Sequence, residues 1–121
     1  MYQILVVDYD EAYCAKVYSD AEIVQVFHEK SYVPKKHKCG GQSAARFARI
    51  RQEKIKHWFK EINCLLKNVD GEIIIGMSSM YRNQFKHYLS TYNLDKIIRW
   101  EKSEYNNLSG IYQMVTLLEK K

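Results

Sequence analysis

"SAARFARIRQEKIKHWFKEINCLLK", residues 43–67, carries apolar side chains at Ala44, Ala48, Ile55, Trp58, Phe59, Ile62, Leu65 and Leu66. Steps of three and four residues put these on one face of a helix, and only Arg51 interrupts the stripe. The spacing predicts one amphipathic helix from Ser43 to about Lys67, about 37 Å long at about 1.5 Å per residue. Ser43 stands where an N-cap would, ahead of the helix formers Ala44 and Ala45.

The flanks of this helix set the fold. Upstream, residues 2–9 (YQILVVDY) and 12–18 (AYCAKVY) are rich in β-branched and aromatic residues, and the short polar link between them predicts a hairpin. After a turn at Ser19 and Asp20, residues 22–28 (EIVQVFH) alternate apolar and polar as a third strand. Downstream, Asp70 and Gly71 read as a turn and residues 72–77 (EIIIGM) as a buried strand. A helix over 80–92, a strand over 96–101 and a last helix over 109–119 complete the chain. The order βββ-α-β-α-β-α implies an α/β (α+β) fold: a mixed sheet of about five strands covered by helices, as in ribonuclease-H-like domains and some ribosomal proteins.

Composition bounds the rest. At 121 residues and 46% hydrophobic, residues 1–121 suit one domain with its own core. The formal charge of +5 and the pI near 9.0 favour an anionic partner. Asp8, Asp10 and Glu11 follow the apolar run from Ile4 to Val7 too soon for a signal peptide, and no stretch has the roughly 18 apolar residues of a membrane helix. A soluble, cytosolic protein without membrane contact is expected. Cys14, Cys39 and Cys64 are odd in number and widely spaced, without a metal-ligand grouping, so reduced thiols, no metal and no cofactor are expected.

A metal nuclease would need carboxylates converging on cations. Asp8 and Asp10 are suitably placed at a strand end and Glu53 on the helix, but the fourth strand ends in Gly76, Met77, Ser78 and Ser79, with no carboxylate. Asp8 and Asp10 therefore read as turn residues.

The stronger signal lies between Lys35 and Lys60. Nine of the 19 basic side chains fall there (Lys35, Lys36, Lys38, Arg46, Arg49, Arg51, Lys54, Lys56 and Lys60) against one acid, Glu53. Most charge runs are solvated helix faces. Here Arg46, Arg49, Lys56 and Lys60 recur at helical spacing opposite the apolar stripe, and the same sign continues through Lys35, Lys36 and Lys38. Such a strip suits RNA phosphates, which bind closely spaced cations through counterion release. It leads to Gly40-Gly41-Gln42. The paired glycines mark a turn or allow close backbone approach to a ligand. Gln42 has no useful proton affinity near neutral pH, so any chemical part it plays is one of position: donating to an oxyanion or fixing a water.

Pro34-Lys35-Lys36-His37, Gly40-Gly41-Gln42-Ser43, Ala45, Arg46-Phe47-Ala48-Arg49, Arg51, Glu53 and Lys54 together closely resemble the GGQ segment of class I peptide chain release factors of the eukaryotic and archaeal type. Ile73 to Ser79 and Tyr105 to Ile111 resemble the same middle domain at lower fidelity. The resemblance implies a domain that enters the peptidyl transferase centre of the large ribosomal subunit and helps water hydrolyse the ester joining peptide to P-site tRNA. By matching positions, Gly40, Gly41 and Gln42 would be the catalytic tip. Gln42 would orient water through its backbone N–H and would be a substrate for a glutamine methyltransferase. Lys35, Lys36, His37, Lys38, Arg46, Arg49 and Arg51 would meet ribosomal RNA or the tRNA end.

Two departures matter. Lys38-Cys39 stands where the family usually has Gly-Arg, and nothing near Cys39 suggests activation of its thiol. The family's codon-reading and GTPase-binding domains have no counterpart in 121 residues, so codon-independent release, as in rescue of stalled ribosomes, is the leading expectation. Two alternatives stay open: the catalytic subunit of a split factor with a separate decoding protein, and a non-catalytic ribosome or tRNA binder. The tyrosines Tyr81, Tyr88, Tyr92, Tyr105 and Tyr112 are read as packing residues rather than base-stacking platforms.

Overall fold

The structure, a computed structural model, describes residues 2–20, 22–31, 33, 42–103 and 108–119. Three strands open the chain: β1 (Tyr2–Val7), β2 (Glu11–Val17) and β3 (Ile23–Lys30). The long helix α1 (Gln42–Leu66) leads to β4 (Ile73–Gly76). Two short helices, α2 (Ser79–Tyr88) and α3 (Thr91–Lys96), lead to β5 (Ile97–Glu101), and α4 (Leu108–Glu119) follows. The five strands form one sheet in the order β3-β2-β1-β4-β5, with β1 antiparallel to β2 and parallel to β4. The expected mixed, helix-covered sheet is therefore the observed fold.

Central β1 is buried on both faces, which is why its run ILVV is unbroken by polar residues. Leu5 and Val7 pack with Ile73 and Ile75 under α1 and α2, against Ile55, Phe59, Ile62, Leu66 and Phe85. Ile4 and Val6 face the opposite way, with Ile74, and meet Ile111, Met114 and Val115 of α4. The result is a three-layer arrangement with α1 and α2 on one side of the sheet and α4 on the other. Gly76 lets α4 come close: a Cβ there would stand 3.1 Å from Ser103 Cβ and 3.2 Å from both Met114 Sδ and Val6 Cγ1. At the predicted turn, Gly71 has φ +91°, which side-chain-bearing residues rarely adopt, and Gln3 Nε2 donates to the Asp70 carbonyl beside it.

Three expectations need correction. The helix expected over 80–92 is two helices that part at Leu89. Ser90 restarts the chain as an N-cap, its hydroxyl accepting from Asn93 N–H at 3.3 Å. Asn63 of α1 fixes this junction, accepting from Ser90 N–H at 2.9 Å and from Asn93 Nδ2 at 2.7 Å. Lys96 then caps α1, donating Nζ to the carbonyls of Leu66 and Val69 at 2.6 and 2.7 Å. Second, α1 begins at Gln42, which places Ser43 in its first turn rather than ahead of it. Third, Ala48 lies on an exposed part of the helix. Between residues 45 and 50 only Phe47 is half-buried, whereas Ile55, Trp58, Phe59, Ile62 and Leu66 are covered. The start of α1 overruns the sheet.

Candidate functional site

Lys35, Lys36, His37, Lys38, Cys39, Gly40 and Gly41 lie outside the described residues. Gln42 is the first residue of α1. Its backbone N–H therefore belongs to the first four of the helix, which have no intrahelical acceptor. The aligned peptide dipoles add about half a positive charge at that end. Helices usually answer this with an acid in the first turn, but α1 has none. Arg46 and Arg49 stand exposed just beyond. The arrangement suits an anionic ligand that reaches the helix end.

Along α1, the exposed Arg46, Arg49 and Lys60 and the half-buried Lys56 lie on the side away from Ile55 and Ile62, as the periodicity predicts. Lys60 Nζ is 6.0 Å from the ring centroid of Tyr88 on α2. Glu53 stands within this strip, its carboxylate 4.0 Å from His57 Nε2, with both side chains mostly exposed. Glu53 thus faces away from the sheet and from Asp8. Asp8 and Asp10 belong to the tight β1–β2 link, where Asp8 N–H donates to the Glu11 carbonyl at 2.9 Å and Asp8 Oδ1 accepts from Tyr9 N–H at 2.8 Å. Among the described residues no three His, Cys, Asp or Glu side chains converge in a metal-binding arrangement.

Arg51 is set apart from the strip. It is only 8% exposed, its Nη2 donates to the Tyr81 hydroxyl at 3.0 Å, and its guanidinium lies 4.9 Å from the Tyr9 ring centroid. The sequence marks it as a charge in an apolar stripe; the structure encloses it between two tyrosines. Neither partner is visible from sequence spacing, because Tyr9 is on the β1–β2 turn and Tyr81 on α2. Trp58, one of the stripe residues, donates Nε1 to the Asp8 carbonyl at 2.8 Å.

Burial pushes the Asp8 carboxyl above the usual carboxylate range, and Asp10 adds to the rise, while the Tyr9 N–H and the Arg51 charge oppose it. A carboxyl raised by folding favours the folded state least once it is ionised, so its contribution to stability declines as pH rises from the ordinary carboxylate range through the raised value. Asp8→Asn keeps an oxygen acceptor for Tyr9 N–H and removes the charge. Its melting temperature should exceed that of the parent by a few degrees at pH 7 and converge on it toward pH 4; an equal difference at both pH values would contradict this assignment. Cys14, by contrast, is an inert core thiol, its pKa pushed up to about 12 by burial, and Cys64 is exposed.

The comparisons with known proteins agree with this geometry. Residues 1–121 match the family described as eRF1 domain 2. Over 73 residues the chain is 41% identical to the eukaryotic peptide chain release factor subunit 1 of Loxodes striatus, covering 55% of this chain and 16% of that protein. Over 130 residues it is 29% identical to the peptide chain release factor subunit 1 of Aeropyrum pernix, covering 97% of this chain and 34% of that one. The crystal structure of the archaeal translation termination factor aRF1 shares the fold, with a TM-score of 0.75, 17% identity and coverage of 99% of this chain and 34% of that chain. The chain thus spans between 16% and 34% of the length of these relatives. Among the described residues, no helix is long and apolar enough to cross a membrane. Basic helix, mixed sheet and matched sequence agree, and the chain belongs to the eRF1 domain 2 family, the middle domain of the eukaryotic and archaeal release factors.

Proposed function

We propose that this domain promotes hydrolysis of the ester joining the nascent peptide to P-site tRNA, in the peptidyl transferase centre of the large ribosomal subunit. The observation that carries the reading is the place of Gln42: the first residue of α1, four residues ahead of the exposed Arg46, with a backbone N–H that has no intrahelical acceptor. Gly40 and Gly41 immediately precede it and supply the backbone freedom for RNA to approach closely.

In the reaction, water adds to the ester carbonyl, the carbonyl oxygen takes on negative charge, and the C–O bond to the tRNA ribose breaks. The peptide leaves with a carboxyl group, and the ribose oxygen gains a proton. The Gln42 N–H orients the attacking water or stabilises the charge on oxygen. Neither the Gln42 amide nor a glycine can act as a base, so proton transfer falls to the RNA groups and water around the tip. Lys35, Lys36, His37, Lys38, Arg46 and Arg49 dock the domain on ribosomal RNA and the tRNA end, each phosphate contact releasing bound counterions. Gln42, as the tip, is the site at which a glutamine methyltransferase acts.

Residues 1–121, all taken up by the domain 2 match, are read as the hydrolytic part, and codon reading is assigned to none of them. The domain then releases peptide as in rescue of stalled ribosomes. The test is peptide release from ribosomes carrying labelled peptidyl-tRNA in the P site, with a stop codon, a sense codon or no codon in the A site. We expect release in all three, at rates within about threefold of one another, since no contact of the tip depends on the codon. Release confined to stop codons after addition of a second protein would identify a split factor. Ribosome binding without release would identify a non-catalytic binder and overturn the proposal.

A further inference from the structure

The β1–β2 turn receives more bonds than joining two strands requires. From beyond β3, the Ser31 hydroxyl donates to the Tyr9 carbonyl at 2.5 Å and the Ser31 N–H donates to the Asp10 carbonyl at 2.9 Å. The same hydroxyl accepts from Val33 N–H at 3.4 Å. From α1, Trp58 donates to the Asp8 carbonyl, and Arg51 lies over the Tyr9 ring while binding the Tyr81 hydroxyl. The Tyr9 and Tyr81 rings are 5.8 Å apart, so the guanidinium ties turn, α1 and α2 together. Val33 and Gln42 flank residues 34–41 in the sequence. One turn therefore grips the chain just before that segment and the helix just after it.

We propose that Arg51, Tyr81 and Ser31 are positioning residues: through the β1–β2 turn they fix the chain at Val33 and the start of α1, two ends of the described chain, relative to each other, and so set where Gln42, the first residue of α1, is presented. The consequence for rate rests on the proposed role of Gln42; the coupling of the two ends is a property of the fold alone. The lever is long. Gln42 precedes Arg51 by nine residues, about 13 Å of helix, so a tilt of about 5° at Arg51 moves the helix start by about 1 Å. A misplacement of about 1 Å at a reacting centre costs up to about 100-fold in rate.

Amide hydrogen exchange on the 121-residue chain tests the coupling without any activity. Arg51→Leu should speed exchange at Ser31 and Val33 by about fivefold or more, along with the first turns of α1, while β4 and β5 keep their protection. Ser31→Ala should in turn speed exchange over residues 45–51, although its side-chain hydrogen bonds go to Tyr9 and Val33 and not to α1. Tyr81→Phe removes only a hydroxyl and keeps the ring, so it gives the same pattern at smaller amplitude if Arg51→Leu proves too unstable to study. Response of one end alone, in any of these variants, would overturn the proposal. In peptide release, Arg51→Leu should lower the rate at saturating protein about tenfold or more, with the half-saturating concentration within about twofold and Arg51→Lys recovering part of the loss. A raised half-saturating concentration with an unchanged maximal rate would instead make Arg51 an RNA contact and overturn it. If the parent protein releases no peptide, the reading of Gln42 fails, and the exchange data still decide the coupling.

Discussion

Phe59→Ala is expected to remove about 3–5 kcal/mol of folding stability, as typical for a fully enclosed phenylalanine. Domains of this kind are held by about 5–15 kcal/mol, so the variant should melt well below the parent or fail to fold at 37 °C. Phe59 is wholly buried at the centre of the α1–α2 layer, with its ring 5.1 Å from that of Phe85 and 6.3 Å from that of Tyr81, both edge-on. Truncation leaves a void on the sheet side of α1 and removes the contact that holds α2 against it. Urea denaturation measures the loss. A cost below about 1 kcal/mol would mean that α1 is held mainly by other contacts.

The second large effect concerns binding. Reversing both exposed arginines at the start of α1, with Arg46→Glu and Arg49→Glu together, should weaken ribosome binding by about 30- to 100-fold at low salt and lower the log–log salt slope by about 1.5. Both side chains lie outside the packed body, so the melting temperature should hardly change. They follow a helix start whose first turn holds no acid, so an anion arriving there meets the helix dipole and then two cations. Unchanged affinity across the salt range would show that the strip does not touch RNA.

Much of this molecule is legible in its sequence because its elements are locally consistent. The β-branched runs of β1 and β2, the three-and-four spacing of α1 and the turn at Asp70-Gly71 each favour one conformation, and the sheet combines them. What was not legible depends on distance in space. Periodicity alone assigns Ala48 to the apolar face, but the strands hold only four to eight residues while α1 holds 25, so the part of the helix around Ala48 passes the edge of the sheet. The break at Leu89 had a local signal, Ser90 three residues ahead of Asn93, but its decisive partner, Asn63, comes from α1. Arg51 shows the limit most plainly. A cation in an apolar stripe can be read as an RNA contact or as a structural charge, and only the arrival of Tyr9 and Tyr81 from other elements distinguishes them.

The candidate site divides in the same way. The chemistry proposed for it lies in a short continuous stretch around Gly40-Gly41-Gln42, which the sequence alone displays. The proposed mechanical support lies in Ser31, Tyr9, Arg51 and Tyr81, which are scattered along the chain and carry no motif.

The most direct measurement separates rate from binding for Gln42 itself. Peptide release is followed at increasing concentrations of the parent and of Gln42→Ala, on ribosomes with peptidyl-tRNA in the P site, with ribosome affinity measured alongside. The maximal rate should fall by about tenfold or more while the affinity stays within about threefold, because the basic strip that docks the domain is untouched. Equal maximal rates for the two proteins would contradict the assignment of Gln42 as the hydrolytic tip.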